Sequence, residues 1–443
     1  MSSAAASFMS EIQDSDIDVQ PDDLVQAIAF NTYGDRCAIG SVDGKIRTFN
    51  RQSDGIWHLC DIWIAHPGEV LELQWLPATI YPSLIGSLGM EGCFRIWAED
   101  PSAGPGHRFC AARSGGPVFD DRSSRAPYRS FSMKHNEETH QTYLALLAAD
   151  GHLMIYESEE PDNLFEFACI DEFSICSKPA LGEEISFKVR FDPNPEPCYT
   201  ALRAGVPVDA LGMVVVGMDT VRVYRSRDIP FTSYGVTQLQ KEFYLATELK
   251  GHRGLVRDVA WAPGNFRGHD VIATACQDGF ARVFRLDTPF DPNDGKSWST
   301  KDLIKPRRMP RHPPGSNDDS PGSPDSGQDG GSDDAASIRT VRLVTQPSSA
   351  LSEGLAKSDT SSETREWTGQ EGQIPHTYRE ITRLDTHRTP VWRVGFDDDG
   401  RILGTTGDDG KLVLYRQTPD GIWAQSTELV MTRDMTANTI TSP

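Results

Sequence analysis

Three groups of side chains in this sequence have the types that nucleophilic catalysis requires. Each group consists, in sequence order, of a histidine, a hydroxyl residue and an acid. The groups are His66, Ser87 and Glu91; His252, Thr274 and Asp278; and His387, Thr405 and Asp409. A His that takes the proton of a hydroxyl and is oriented by a carboxylate is the arrangement used by many hydrolases. An enzyme needs such a set once, whereas a repeated fold must satisfy its polar groups in every unit. We therefore expect these residues to be structural and the protein to have no catalytic activity.

The sequence offers no familiar metal or cofactor site. Its eight Cys residues are scattered, without a Cys-x-x-Cys pair or a Cys/His spacing of the zinc type. The segment KHNEETH at 134–140 resembles a zinc motif only superficially, because its acid does not directly follow the first His. We expect reduced thiols and no cofactor.

The elements that position these groups belong to a repeat. Six segments share a turn with an acid or Gly, then alternating side chains, then an aromatic residue. They are SVDGKIRTFN (41–50), GMEGCFRIWA (89–98), AADGHLMIYE (148–157), VGMDTVRVYR (216–225), CQDGFARVFR (276–285) and GDDGKLVLYR (407–416). Asp-Gly between two apolar runs is a strong hairpin signal. With two strand-like runs before each turn and further runs after them, the pattern predicts an all-β propeller of six four-stranded blades.

This repeat resembles the WD repeat. In that family a His before the first strand bonds the turn acid, which supports a Ser or Thr and then the aromatic residue of the third strand. The resemblance implies that Trp97, Phe284 and Tyr415 complete the sets of His66, His252 and His387. Because Phe has no polar hydrogen, we expect the fifth blade to lack the last hydrogen bond of the set.

Charge and composition divide the chain into segments. There are 43 Lys and Arg residues against 64 Asp and Glu, a net charge of −21, and many of the acids cluster outside the repeats. A mildly acidic body argues against nucleic-acid binding, which needs clustered basic residues. We assign an acidic disordered N-terminus (1–23), blades 1 to 5 in part (24–287), a disordered insertion of Ser, Pro, Gly and Asp (288–377), the end of blade 5 with blade 6 (378–431), and a tail (432–443).

Two short signals lie inside the insertion. SPGSPDS offers proline-directed phosphorylation at Ser320 or Ser323, and KPRRMPRH has the composition of a nuclear localisation patch. A solvated linker is the simpler interpretation of both. The N-terminus lacks the features of a signal peptide, and no apolar run is long enough to span a bilayer. We expect a soluble protein of the cytosolic or nuclear space.

The first and last blades are each complete within their own segment. Predicted strands at 25–30, 36–41, 45–50 and 56–63 form blade 1, and those at 390–396, 401–406, 411–416 and 422–430 form blade 6. Because no strand is shared between the termini, we expect an open six-bladed ring with apolar surface at the gap, and a partner that supplies a seventh blade there. The predicted interface residues are Val25, Ile28, Phe30, Val391, Trp392 and Phe396. Trp75, Trp261 and Trp392 occupy comparable first-strand positions, and we expect core packing for the first two and a place at the gap for Trp392.

The order of the motifs resembles the Seh family of nucleoporins in particular. The segments that carry this resemblance are VWRVGFDDDGRILGTTGDDGKLVLYR, the DGIW after blade 1, IYESEEPDNL, and DVAWAPGNFRGHDVIATACQDGFARVFRL. The family implies a scaffold subunit of the nuclear pore Y-complex at the nuclear envelope, serving protein transport and mRNA export. Its seventh blade comes from a helical nucleoporin of the Nup eighty-five type. It also implies membership of the vacuolar or lysosomal complex that regulates TORC1. Two alternatives stay open: the COPII-type coat propeller, and a WD-repeat substrate receptor of a ubiquitin ligase.

Overall fold

The fold consists of six antiparallel sheets arranged in chain order. The computed structural model describes residues 24–109, 116–160, 163–164, 166–233, 236–264, 267–289, 365 and 367–430. The predictions for residues 1–23, for most of the insertion, including Ser320, Ser323 and the basic segment, and for the tail lie outside the described residues.

Each sheet has four strands that are consecutive in the sequence. Blade 1 contains β1 (Val25–Phe30), β2 (Arg36–Ser41), β3 (Lys45–Arg51) and β4 (Trp57–Ile64). Blade 2 contains β5 (Val70–Trp75), β6 (Leu84–Gly89), β7 (Cys93–Ala98) and β8 (Phe119–Arg122). Blade 3 contains β9 (Tyr128–Asn136), β10 (Gln141–Ala148), β11 (His152–Ser158) and β12 (Phe167–Ser174). The predicted all-β, six-bladed propeller is confirmed.

The remaining blades repeat this order, with one short helix among the described residues. Blade 4 contains β13 (Phe187–Phe191), α1 (Tyr199–Arg203), β14 (Gly212–Gly217), β15 (Thr220–Ser233) and β16 (Val236–Leu249). Blade 5 contains β17 (Val256–Trp261), β18 (Asp270–Cys276), β19 (Ala281–Asp287) and β20 (Thr377–Leu384). Blade 6 contains β21 (Val391–Phe396), β22 (Ile402–Gly407), β23 (Lys411–Gln417) and β24 (Trp423–Val430).

The turn between the second and third strands explains the recurring Asp-Gly. In five blades the turn glycine adopts a positive φ, for example +86° at Gly279 and +66° at Gly410. Residues with a Cβ atom rarely adopt this backbone conformation, whereas Gly adopts it without steric strain. Blade 4 has a shorter turn in which Met218 takes a φ of +62° instead.

Every blade has two apolar faces. We call the face that carries the third-strand aromatic residue the front face, and the opposite one the back face. The aromatic residues are Phe49, Trp97, Tyr156, Tyr224, Phe284 and Tyr415. In five hydrophobic clusters, the front face of one blade packs on the back face of the blade before it. Between blades 5 and 6, for instance, Val271, Ala273 and Val283 pack with Leu403 and Tyr415. Burial of this surface, at roughly 25 cal/mol per Å², is the main stabilising term.

The segment that returns from the insertion is bound to the outside of blades 3 and 4. The guanidinium of Arg365 pairs with Asp171 on β12, donates to the carbonyl of Phe243 on β16 at 2.6 Å, and lies 4.5 Å from the ring centre of Phe173. Further along, His376 donates its backbone N–H to the carbonyl of Ala246 at 2.9 Å. Residues 288–377 were expected to form a disordered insertion. Residues 365 and 367–376 instead contact blades 3 and 4 and lead into β20, and we call this segment the clasp.

Removing the charged end of this clasp should destabilise the fold. Arg365→Ala leaves the buried Asp171 carboxylate with one partner fewer, so we expect the free energy of unfolding to fall by roughly 1–3 kcal/mol. Urea denaturation measures the change. Arg122→Ala is the matched control, because Arg122 is exposed at the end of β8. Equal stability of the two variants would show that the clasp does not stabilise the fold.

Candidate partner-binding site

The His66 set forms a continuous chain of hydrogen bonds on the front face of blade 2. His66 Nδ1 lies 2.7 Å from Glu91, and its Nε2 lies 2.8 Å from Ser87 Oγ. Trp97 Nε1 donates to Ser87 Oγ at 2.9 Å. Because the carboxylate only accepts, Nδ1 carries the proton and Nε2 accepts from Ser87. Ser87 is fully buried, so the hydroxyl has a structural role and no access to a substrate.

The other two sets differ from each other. In blade 6, His387 Nδ1 lies 2.9 Å from Asp409 and its Nε2 lies 2.7 Å from Thr405 Oγ1. In blade 5, His252 Nε2 lies 3.0 Å from Thr274 Oγ1, but its Nδ1 has no hydrogen-bond partner.

Asp278 in blade 5 is engaged elsewhere. It accepts from Arg282 at 2.7 and 3.1 Å and from the backbone N–H of Arg253 at 3.1 Å. The bond expected between His252 and Asp278 is therefore not made, and both carboxylate oxygens of Asp278 accept from Arg282 instead. Phe284, whose ring centre lies 5.8 Å from that of His252, has no polar hydrogen to offer Thr274.

Two sheet faces at the ends of the ring lack the packing partner that the others have. The front face of blade 1 forms a small cluster of its own, from Cys37, Ile39, Phe49 and Trp57, with Ile28 and Phe30 partly exposed beside it. The back face of blade 6 carries Leu412, Leu414 and Leu429. None of the hydrophobic clusters of the described residues joins blade 6 to blade 1. We call the space between these two faces the 6–1 seam.

Equivalent positions elsewhere show how much apolar surface this leaves uncovered. Val259 and Trp261 on the front face of blade 5 are 1% and 4% exposed, whereas Ile28 and Phe30, at the same register positions in blade 1, are partly exposed. At the rim, Leu59 of blade 1 is 50% exposed and Leu429 of blade 6 is 41% exposed. Exposed apolar surface of this kind marks interaction sites.

The predicted interface residues divide between two places. Val25, Ile28 and Phe30 lie on β1 at the 6–1 seam, and Val25 is 41% exposed. Val391 is buried in the core between blades 5 and 6, and Phe396 packs against that core and against Trp423, with ring centres 5.6 Å apart. The structure thus places Val391 and Phe396 on the face of blade 6 that points away from the seam.

Trp392 also occupies a different position from the one expected. In register, the equivalent of Trp75 and Trp261 is Phe396, because each pairs with the residue two positions before the hydroxyl residue of the second strand. Trp392 sits in a β-bulge, donates to Asp408 at 2.5 Å, and stacks against Arg257 of blade 5 at 4.4 Å. The bulge shifts the alternation of side chains between the two faces of the sheet, so Trp392 is not equivalent to Trp75 and Trp261.

The leucines on the back face of blade 6 were missed in the sequence, although a signal for them was present. In KLVLYR, Val413 and Tyr415 alternate with Leu412 and Leu414. Since Tyr415 faces the preceding blade, period-2 alternation directs Leu412 and Leu414 towards the following one. No following blade exists within the described chain, so these leucines belong to the candidate site.

The hydrogen bonds between the first strands of neighbouring blades also change at the seam. In blades 2, 3 and 5, a side chain on the first strand accepts a backbone N–H from the first strand of the next blade. Glu72 accepts from Phe131 at 3.0 Å, Ser130 from Val189 at 3.1 Å, and Asp258 from Val394 at 3.2 Å. In blade 6 the corresponding residue is Arg393, which can only donate and bonds the carbonyl of Gln26 at 3.2 Å.

Other site classes find no support in the part of the chain that the structure covers. Those residues contain no group of three or more His, Cys, Asp or Glu side chains placed to hold a metal ion. They also include no helix with the length and hydropathy needed to cross a membrane.

Comparison with known proteins agrees with the fold. Residues 243–285 and 378–416 match the family model "WD domain, G-beta repeat". The chain is 47% identical to Nucleoporin SEH1 of Chaetomium thermophilum, over 92% of this chain and 93% of that protein. It is 24% identical to Nucleoporin SEH1 of Saccharomyces cerevisiae (90% and 93% covered) and 21% identical to Nucleoporin SEH1 of Homo sapiens (89% and 82% covered).

The buried histidines predict a loss of stability in mild acid. Burial lowers the pKa of His66, burial and nearby Arg282 lower that of His252 from 6.5 to about 4, and burial with Arg225 lowers that of His376 to about 3. The unfolded chain therefore binds more protons than the native one as the pH falls through 6.5. For His252 alone, the free energy of unfolding should fall by about 2 kcal/mol between about pH 7.5 and pH 5.

Urea titrations at these two pH values measure this slope. His252→Gln should reduce the slope, and His58→Gln, at a half-exposed position, should leave it unchanged. A slope that is the same in all three proteins would rule out a contribution from His252.

Proposed function

Because the chain belongs to the SEH1 nucleoporin family, we propose that it is a structural subunit of the nuclear pore Y-complex, located at the nuclear envelope. In this role it serves protein transport and mRNA export as a scaffold and not as a catalyst. The observation that carries the proposal is that no hydrophobic cluster of the described residues joins blades 6 and 1, while Ile28 and Phe30 stay partly exposed at the 6–1 seam, where a scaffold partner would cover them.

The partner we propose is a helical nucleoporin of the Nup eighty-five type that inserts a seventh blade into the seam. Each sheet of this chain already contains its four strands, so the partner must bring a sheet of its own and pack it face to face. The packing rule of the five closed seams sets its orientation. Its front face contacts Leu412, Leu414 and Leu429 of blade 6, and its back face contacts Ile28 and Phe30 of blade 1.

The chemistry of the seam supports a permanent complex. Both faces are apolar, and the face of blade 1 is also aromatic, as in interfaces that form with folding. Such interfaces bury roughly 2,000 Å² or more. Arg393 adds one polar requirement, because it needs an acceptor on the inserted strand or on blade 1.

A second assembly, the vacuolar or lysosomal complex that regulates TORC1, is proposed from the family resemblance, and the same seam would serve it. Names of the relatives quoted above favour a pore scaffold over the COPII-type coat and the ubiquitin-ligase receptor. Purification of the tagged chain from cells, followed by mass spectrometry, separates these assemblies by their co-purifying subunits.

Exposed leucines at the rim allow the seam to be tested without disturbing the core. We expect Leu59→Asp and Leu429→Asp each to weaken binding of the helical nucleoporin by roughly tenfold or more, because each buries a charge in an apolar interface. Isothermal titration calorimetry with the purified partner measures this.

The matched control is Leu239→Asp on blade 4, where Leu239 is 53% exposed and lies far from the seam in the chain order of blades. Its affinity should equal that of the unmodified protein, and all three variants should melt near the same temperature alone. Unchanged affinity in both seam variants would refute insertion at the seam.

A further inference from the structure

An arginine occupies the same position on the third strand of blades 1, 2, 4 and 5, two residues before the aromatic. In blade 1 it is Arg47, which faces Ile62. In register on the fourth strand, Arg95 faces Asp120 and Arg222 faces Glu248. Both form ion pairs at 3.0 Å. Arg282 of blade 5 faces Arg383 instead. Like charges directly opposite each other destabilise a sheet. Blade 5 therefore loses stability at the position where blades 2 and 4 have an ion pair.

Two carboxylates and one aromatic ring hold this arginine pair. Asp278 accepts from Arg282 at 2.7 and 3.1 Å, and Glu380 accepts from Arg383 at 2.8 and 3.2 Å. Both guanidinium groups lie over the ring of Phe280, at 5.3 and 5.7 Å from its centre. The arginines are therefore fixed side by side in a defined geometry.

The pair lines a cavity of about 310 Å³, together with Gly251, His252, Arg253 and Phe280. Arg253 and Arg383 are exposed there, whereas Arg282 is 2% exposed and is held by Asp278 behind them. Counting Asp278 and Glu380, the cavity carries three guanidinium groups and two carboxylates. This positive balance contrasts with the −21 net charge of the whole chain.

His252 adds a further polar group at this place. Its Nε2 is bonded to Thr274, but its Nδ1 has no partner, since Asp278 is held by Arg282. In blade 6 the corresponding Nδ1 of His387 is bonded to Asp409. Blade 5 thus differs from its neighbour in lining one small cavity with three arginines and with a histidine whose buried Nδ1 has no hydrogen-bond partner.

We propose that this cavity, which we call the blade 5 pocket, binds a phosphate monoester on the side chain of another protein. Guanidinium groups bind phosphate oxygens in bidentate geometry, and paired arginines are the usual means of recognising phosphorylated side chains. The volume lies at the lower end of ligand pockets and suits one such group. The inference is independent of the 6–1 seam, because the pocket is formed by blade 5 and the loop before it.

The test uses the full chain and a short fluorescein-labelled peptide with a central phosphoserine, in fluorescence anisotropy at low salt. The unphosphorylated peptide and free inorganic phosphate are the comparison ligands. We expect the phosphopeptide to bind and the unphosphorylated peptide to bind at least roughly tenfold more weakly. Competition by inorganic phosphate at concentrations as low as those of the phosphopeptide would show that the site takes the free anion instead, and would overturn the side-chain assignment.

Arg383→Glu is the decisive variant, because it creates the Arg-acid pair that blades 2 and 4 already have. It should melt at the same or a higher temperature and lose phosphopeptide binding by roughly tenfold or more, which separates binding from folding. Arg253→Ala, an exposed position, should weaken binding without affecting the melt.

Arg379→Glu is the matched control. Arg379 lies on the same strand and also faces an arginine, Arg285, but outside the pocket. It should bind the phosphopeptide as the unmodified protein does. If Arg379→Glu and Arg383→Glu lost the same affinity for the phosphopeptide, the loss would be due to overall charge and the proposal would be overturned. Full binding of the phosphopeptide by Arg383→Glu would refute the pocket.

Discussion

The structure depends on one constraint: each sheet has two apolar faces, and both must be covered. Five seams meet this constraint by the same rule, a front face with an aromatic residue packed on the back face of the preceding blade. A linear series of six sheets necessarily leaves one front face and one back face at its ends. The likeness of the first and last blades follows from this arrangement, since both are complete sheets and neither can lend a strand to the other.

Polar groups reinforce the covered seams and show what the end seam lacks. Glu72 is almost fully buried and bonds Ser130 and Phe131 of blade 3 as well as Lys188 and Arg190 of blade 4. Burial alone would raise the pKa of this carboxyl, but Arg190 and Lys188 lower it to about 2, so it stays ionised. The equivalent position in blade 1 is Ala27, which accepts nothing, and in blade 6 it is Arg393. At the 6–1 seam, the accepting side chain found in blades 2, 3 and 5 is therefore replaced by a donor, Arg393, which bonds the carbonyl of Gln26.

Much of this architecture could be predicted from the sequence, because its signals are local. Turns with an acid followed by Gly marked five blades, and alternating strands marked all six, including β20 after the long insertion. The side of the sheet that each residue faces was harder to obtain. Trp392 was expected at the gap because blade 6 borders it, but a bulge before Arg393 sets the direction of its side chain. Ile28 and Phe30 lie on one face of β1, with no bulge between them. The bond of Asp278 with Arg282 and the contact of Arg365 with Asp171 depend on geometry between strands, which no local pattern specifies.

The position of the clasp relates the insertion to the proposed partner. Arg365 contacts Asp171 and Phe243, on the outer strands of blades 3 and 4, and the seam between these blades is the one farthest from the 6–1 seam in the order of the ring. The chain that re-enters blade 5 is thus anchored on the side opposite the uncovered faces. A partner sheet between blades 6 and 1 would meet only β1, β4 and the strands of blade 6, none of which touches the clasp through the contacts of Arg365 or His376. Since long loops add little to the entropy cost of folding, an insertion can be tolerated at this place without competing for the partner surface. The faces at the 6–1 seam, proposed for assembly, are therefore separate from the edge of blades 3 and 4 that Arg365 and His376 contact.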